Sequence, residues 1–167
     1  MAWQKNGIPD TLTSTGPDVE ITDLSAVKFN QVMIHVFPDG ADTIESGLRF
    51  NDNSNSVYTT RHSKNGLDTR QVFTSNPRVV LGISRRNQDL FVVGGFVSIL
   101  GEEKLAIVES FAAGAAGAGN APELRNESFG KFIPSPDAEI TQVKGFDTDD
   151  GTHDYAIDSN ISALGTD

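Results

Sequence analysis

The residues of this chain best suited to holding a hard cation are four aspartates around a glycine turn, Asp147, Asp149, Asp150 and Asp154 in DTDDGTHD. Calcium is bound by carboxylate and carbonyl oxygens, and these four could supply them. Their spacing is not that of the twelve-residue calcium loop. The glycine falls one position early, and the twelfth position is Asp158 where that loop places a bidentate glutamate. Asp and Gly are also what a tight turn demands, so an acidic hairpin turn is the first reading and calcium the second. NDNSNS, residues 51–56, is another polar loop that could meet an ion or sugar hydroxyls, and Asx-turn chemistry accounts for it more simply.

Nucleophilic or acid–base catalysis finds little to work with. The histidines, His35, His62 and His153, lie in separate segments without the His-x-x-x-His spacing of a zinc protease, and no Gly-x-Ser-x-Gly elbow is present for a Ser-His-Asp triad. His35, inside VMIHVF, is expected as a partly buried strand residue with one partner. Glu102 and Glu103 are adjacent, so on a strand they face opposite ways and cannot face each other across a sugar. Arg61, Arg78, Arg85 and Arg86 could bind an acidic glycan, but so many carboxylates surround them that ion pairs are the better expectation. No enzyme is expected.

FAAGAAGAGNAP, residues 111–122, looks at first like a phosphate cradle. A P-loop needs Lys and Ser or Thr after its last glycine, to reach phosphate and magnesium, whereas Gly119 is followed by Asn120 and Ala121. A dinucleotide fingerprint needs a helix to follow, and Pro122 with ELRNES does not begin one. The stretch is read as a long loop after the strand KLAIVESF. Its side chains are small enough to lie against another backbone, which makes Gly117, Gly119, Asn120, Pro122 and Arg125 candidate loop or interface residues.

The elements that must position these groups are strands. VEIT (19–22), KFNQVMIHVF (28–37), GLRFN (47–51), SVYTTRH (56–62), RVVLGIS (78–84), LFVVGGFVSIL (90–100), KLAIVESF (104–111), EITQVKGF (139–146) and DYAIDSNISAL (154–164) are rich in Val, Ile, Phe, Tyr and Thr. Each is bounded by turn residues, with Gly40, Gly66, Gly101 and Gly151 as positive-φ candidates. In KLAIVESF, Leu105, Ile107 and Phe111 share one face, with Glu109 the exception, while Lys104, Val108 and Ser110 take the other: a half-buried strand. KFNQVMIHVF and LFVVGGFVSIL are apolar on both faces, as in strands covered on two sides or packed against a neighbouring subunit. About nine short strands without a convincing helix predict an all-β chain, a two-sheet β-sandwich of jelly-roll type, with a closed barrel as the alternative. One domain over 1–167 is expected, with 1–17 a candidate N-terminal arm.

Charge narrows the partners. With 13 Lys and Arg against 23 Asp and Glu, the net charge of -10 repels a phosphate backbone, so nucleic acid is not expected as a ligand. MAWQKNGIPD carries no apolar run of the secretory-signal kind, and no later segment approaches about 18 consecutive apolar residues, so membrane insertion is not expected. Without cysteine, stability must come from packing. Two Asn-x-Ser tripeptides, at Asn126 and Asn160, mark Asn126 as an expected surface residue.

Several pieces of the chain together resemble a family of small virion structural proteins of tailed viruses infecting aquatic prokaryotes. They are W-x-K-x-G from Trp3, ITDLSAVKFNQVMIH, LRFNDNSNSVYTTRHSKNG, EEKL, AGAGNAP-x-x-R, GKF, ITQV and the terminal LG-x-D. The chain departs from that pattern at Val57-Tyr58, where Asn-Tyr is expected, and at Phe132, where Trp is expected. The resemblance implies a capsid decoration, spike or tail-associated protein: a non-enzymatic surface subunit that touches other virion proteins and assembles in the host cytoplasm. A closed homo-oligomer is expected on symmetry grounds, a trimer above all. The alternative is a carbohydrate-binding module in which Tyr58, Phe132 or Trp3 stacks on host-surface glycan. No cofactor other than calcium comes into question.

Overall fold

A computed structural model describes residues 2–40, 43–66, 71–84, 88–114, 122–134, 138–148 and 154–167. Every regular element among them is a strand. In chain order these are β1 (Gln4–Lys5), β2 (Asp10–Thr11), β3 (Asp18–Ile21), β4 (Phe29–Val36), β5 (Ile44–Phe50), β6 (Tyr58–Lys64), β7 (Gln71–Asn76), β8 (Val79–Ser84), β9 (Leu90–Val97), β10 (Lys104–Ala112), β11 (Leu124–Phe132), β12 (Val143–Asp147) and β13 (Asn160–Thr166). The expected all-β sandwich is what the chain forms. A nine-stranded sheet runs β1-β13-β4-β9-β10-β11-β6-β7, with β2 also on β13, and packs against a four-stranded sheet, β3-β12-β5-β8. All pairings are antiparallel, and four of them nest along the chain: β6 with β7, β5 with β8, β4 with β9, β3 with β12. The β10-β11 hairpin is inserted after β9 and closes the large sheet against β6.

One core fills the space between the sheets. Val32, Ile34 and Val92 of the large sheet meet Val19, Ile21, Leu48 and Val143 of the small one. At one end an aromatic cluster gathers Phe50, Tyr58, Phe96 and Phe132, with Tyr58 stacked on Phe132 at 4.8 Å between centroids. Each such buried ring stabilises the fold by roughly 2–3 kcal/mol. This corrects the expectation that Tyr58 and Phe132 face sugar: both are 0% exposed. The segment before β3 is bound to the body. β1 and β2 pair with β13, and buried Asn6 joins neighbouring segments, its Nδ2 donating to Asn30 Oδ1 at 2.7 Å and its Oδ1 accepting from Ser25 N–H at 2.8 Å.

Two strands depart from their hydropathy. In β10 the inward face is Lys104, Ala106, Val108, Ser110 and Ala112, and the outward face carries Leu105 and Ile107. β11, LRNESFGKF, follows the same inversion: Asn126, Ser128 and Gly130 point inward and Phe129 outward. The reason is β8. Its edge lies so close over β10 and β11 that only small inward side chains fit, and their polar atoms bond its backbone: Ser110 Oγ donates to Leu81 O at 2.5 Å and Ser128 Oγ to Val80 O at 2.6 Å. Asn126 is 1% exposed, against the expectation of a surface residue, and its Nδ2 donates to Ser110 Oγ at 3.1 Å.

Candidate functional site

The sequence-predicted groups are dispersed. Asp147 ends β12, buried, with its N–H donating to Pro17 O at 2.9 Å, and Asp154 lies in the segment whose carbonyl accepts Asp39 N–H at 2.8 Å. Asp149, Asp150 and His153 lie outside the described residues, as do Gly117, Gly119, Asn120, Arg85, Arg86 and Gly151. Among the described residues no three of His, Asp and Glu come together as a metal-holding group. Gly40, Gly66 and Gly101 have positive φ, as the turn chemistry predicts. Asn51 shows what the polar NDNSNS loop does: its Oδ1 accepts from Thr141 N–H and Gln142 N–H while its Nδ2 donates to Glu139 O, tying that loop to the approach to β12. The Gly/Ala-rich stretch joins paired strands, since Ala112 and Leu124 are in register at the end of the β10-β11 hairpin. Pro122 and Arg125 are exposed beside it.

Histidine chemistry resolves into two structural contacts. His35 is partly exposed, lies 3.5 Å from Asp89 and packs by its ring against Phe37, as expected of a strand histidine with one partner. His62 is buried beside Ser128, Nδ1 to Oγ 3.0 Å. Ser128 spends its one proton on Val80 O, so His62 must donate through Nδ1–H and cannot take the serine proton there. Burial lowers the pKa of His62, Lys64 lowers it further and Glu45 opposes them, which keeps the imidazole neutral in this donating tautomer. Glu103, just before β10, pairs with Lys131 at 2.7 Å and Glu109 on β10 with Arg125 at 3.7 Å, so these acids are ion-paired rather than opposed across a cleft.

The outward faces of the two sheets differ in kind. On the small sheet, Lys144 lies 3.1 Å from Glu20, 3.1 Å from Asp52 and 3.6 Å from Asp18. Burial alone would lower its pKa, but the bonds to Asp52 and Glu20 and the charge of Asp18 outweigh it and raise the pKa, so the ammonium stays charged. Beside it the Arg49 guanidinium sits 4.0 Å from the Phe146 ring centroid. That face is solvated and charged. On the large sheet, Phe29, Phe91, Leu105, Ile107 and Phe129 point outward from β4, β9, β10 and β11 at 43–59% exposure, and Trp3, 51% exposed, joins them from the chain start.

Compared with protein-family models, curated proteins and solved structures, the chain matches none. Function has to be argued from this surface. Its rows follow the register of the strands: Gln31, Gly95, Ile107, Phe129 and Arg61 lie side by side across β4-β9-β10-β11-β6. Gly95 leaves a hollow in that row. An open groove of ≈ 410 Å³ forms above it, walled by Trp3, Phe29, Val97, Leu105 and Ile107, with Asn30 and Thr166 as its polar residues. The two-faced hydropathy of KFNQVMIHVF and LFVVGGFVSIL carries the signal for this surface. No spacing motif marks it, because the pattern on each strand is ordinary alternation and the patch exists only once β4, β9, β10 and β11 are in register.

Proposed function

We propose that this chain is a non-enzymatic structural subunit of a virus particle, a self-associating surface protein of the decoration, spike or tail-associated kind that contacts other particle proteins. The observation that carries the reading is the apolar outward face of the large sheet. A two-sheet antiparallel sandwich in water buries one face of each sheet and solvates the other. Here the four central strands of the larger sheet keep aromatic and aliphatic side chains on the solvated side, which suits a protein that works in contact with other protein surfaces. Placement in a virion rests on the resemblance of the sequence pieces given above.

The nested strand pairings support reading the sandwich as a jelly roll. A long antiparallel ribbon that folds back on itself gives such nesting, β6 with β7 innermost and β3 with β12 outermost, and β10-β11 is then an insertion in the wrap. Glycan binding has less support. Of the three aromatic residues expected to stack on sugar only Trp3 is exposed, and the groove beside it has too few polar groups to satisfy sugar hydroxyls.

The test is peptide mass spectrometry on purified particles from the source of the gene, with copy number set against the major capsid protein. A fixed stoichiometric ratio is the expected result, and its value separates a many-copy decoration from a spike or tail part. Absence from clean particles, with the protein abundant in producing cells, overturns the reading.

A further inference from the structure

We infer that the outward face of β4-β9-β10-β11 is the contact surface for a second copy of this chain, the two large sheets packing face to face across a two-fold axis. The inference rests on the self-association proposed above, assigns it a surface, and puts a two-fold pair in place of the trimer expected from the sequence.

Area comes first. Trp3, Phe29, Phe91, Leu105, Ile107 and Phe129 are each about half exposed. At roughly 200 Å² for a whole large side chain, they offer roughly 600 Å² of apolar surface per copy, the upper end of what a monomer keeps on display. Two copies would remove roughly 1,200 Å² from water before the polar rim is counted, which already reaches the range of specific interfaces.

Shape and charge point to the occupant. A two-fold contact uses one patch on both partners, so the patch must complement itself. This one carries a hollow and a ridge side by side in the same row, Gly95 beneath the groove and Ile107 with Phe129 next to it. The outward charged side chains on its four strands balance, Glu109 and Glu127 against Arg125 and Lys131, and both acids pair with Arg125; Asp89 and Glu103 flank them beside His35 and Lys131. The chain as a whole carries -10. Two copies therefore repel least when they meet here, and a strongly charged partner finds no field to follow.

Gly95 supplies the test. A Cβ there would meet only Asn30 O, at 3.8 Å, and the position faces outward, so Gly95→Val fills the groove without crowding the core. Sedimentation velocity at roughly 50 µM, a concentration at which a micromolar complex is formed, compares wild type with Gly95→Val, Ile107→Lys and Ile8→Lys. Ile8 is 58% exposed and bridges Thr22 just past β3 of the small sheet, off the outward face of the large one. The expected result is a two-fold wild-type assembly, a dissociation constant at least about tenfold weaker in the Gly95 and Ile107 variants, and no change in the Ile8 variant. Concentration-dependent protection of Trp3 and Phe129 from hydroxyl-radical labelling in the wild type should accompany it, a readout independent of any variant's folding. If the wild type associates while the patch variants associate equally well and labelling is flat, self-association stands and this surface is wrong. A three-fold wild-type assembly overturns the two-fold pairing, and a wild-type monomer overturns the self-association reading itself.

Discussion

Tyr58 shows what one side chain can hold together. Its hydroxyl accepts Phe50 N–H at 2.9 Å and donates to Phe50 O at 3.2 Å, bonding the end of the strand whose sheet faces its own. Its ring completes the cluster with Phe132. The hydroxyl loses its proton with difficulty: burial pushes the pKa up to about 12, the backbone bond to Phe50 and the charge of Arg49 pull against it, and Asp52 adds a small upward push. A pKa raised in the folded state gives stability that is complete below the unfolded value, about 10, and is lost as pH rises through the folded one. The wild type should therefore lose stability between about pH 10 and 12. Tyr58→Phe should start about 1–3 kcal/mol less stable at pH 8, since two backbone groups lose their partner, and should fall less on going to pH 11.5. Urea midpoints for both proteins at both pH values check this, and an equal alkaline fall in the two would show that Tyr58 is not the group that titrates.

At the scale of elements, the contact that decides the architecture is β8 against β10 and β11. β8 bulges at Leu81, since Ser46 pairs with Gly82 and Gly47 with Val80, and the bend turns its carbonyls onto the large sheet. Gly82 makes the approach possible. Its φ is 137° and a Cβ would lie 2.3 Å from Asn126 Nδ2. Gly82→Ala should cost about 3 kcal/mol, because the strand must retreat and the bonds from Ser110 and Ser128 lengthen. Gly40→Ala, at φ 99° with nothing within 4 Å, should cost about 1 kcal/mol for the backbone alone. Urea denaturation of the two variants separates crowding from dihedral strain, and equal losses would mean that β8 has room to spare.

The same contact explains what the sequence made legible and what it hid. Alternation and turn residues mark most strands, including β4, β9 and β10, because period two survives whichever face is inward. Alternation does not say which face that is. In β10 the choice falls to Ala106 and Ser110, small enough to fit beneath β8, so Leu105 and Ile107 are left outside. β11 hides altogether, since its inward Asn126, Ser128 and Gly130 read as a polar loop until the backbone they bond is known. β7, QVFTSN, is an edge strand and largely exposed, which leaves it without a hydrophobic signature. Of the candidate site, Trp3 keeps its exposed position, while Tyr58 and Phe132 are drawn into the core by each other.

At the scale of the whole molecule, association is a contest between one apolar face and a charge of -10 on each copy. The face carries balanced charges, so the repulsion comes from the rest of the surface, the acidic outward side of the small sheet included. Those charges act over distance and are screened, with a Debye length of about 10 Å at 0.1 M salt and about 3 Å at 1 M. Apolar contact is not weakened by sodium chloride in this range. Raising salt from about 0.05 M to 0.5 M should therefore tighten self-association, by about tenfold or more in dissociation constant if repulsion costs a little over 1 kcal/mol at the lower salt. Sedimentation equilibrium at the two salts measures it directly. Loosening with salt would mean that ion pairs between copies, rather than burial of Phe29, Ile107 and Phe129, hold the assembly. In that case Arg125 and Lys131 would have to leave their positions beside Glu103, Glu109 and Glu127 and reach across the axis.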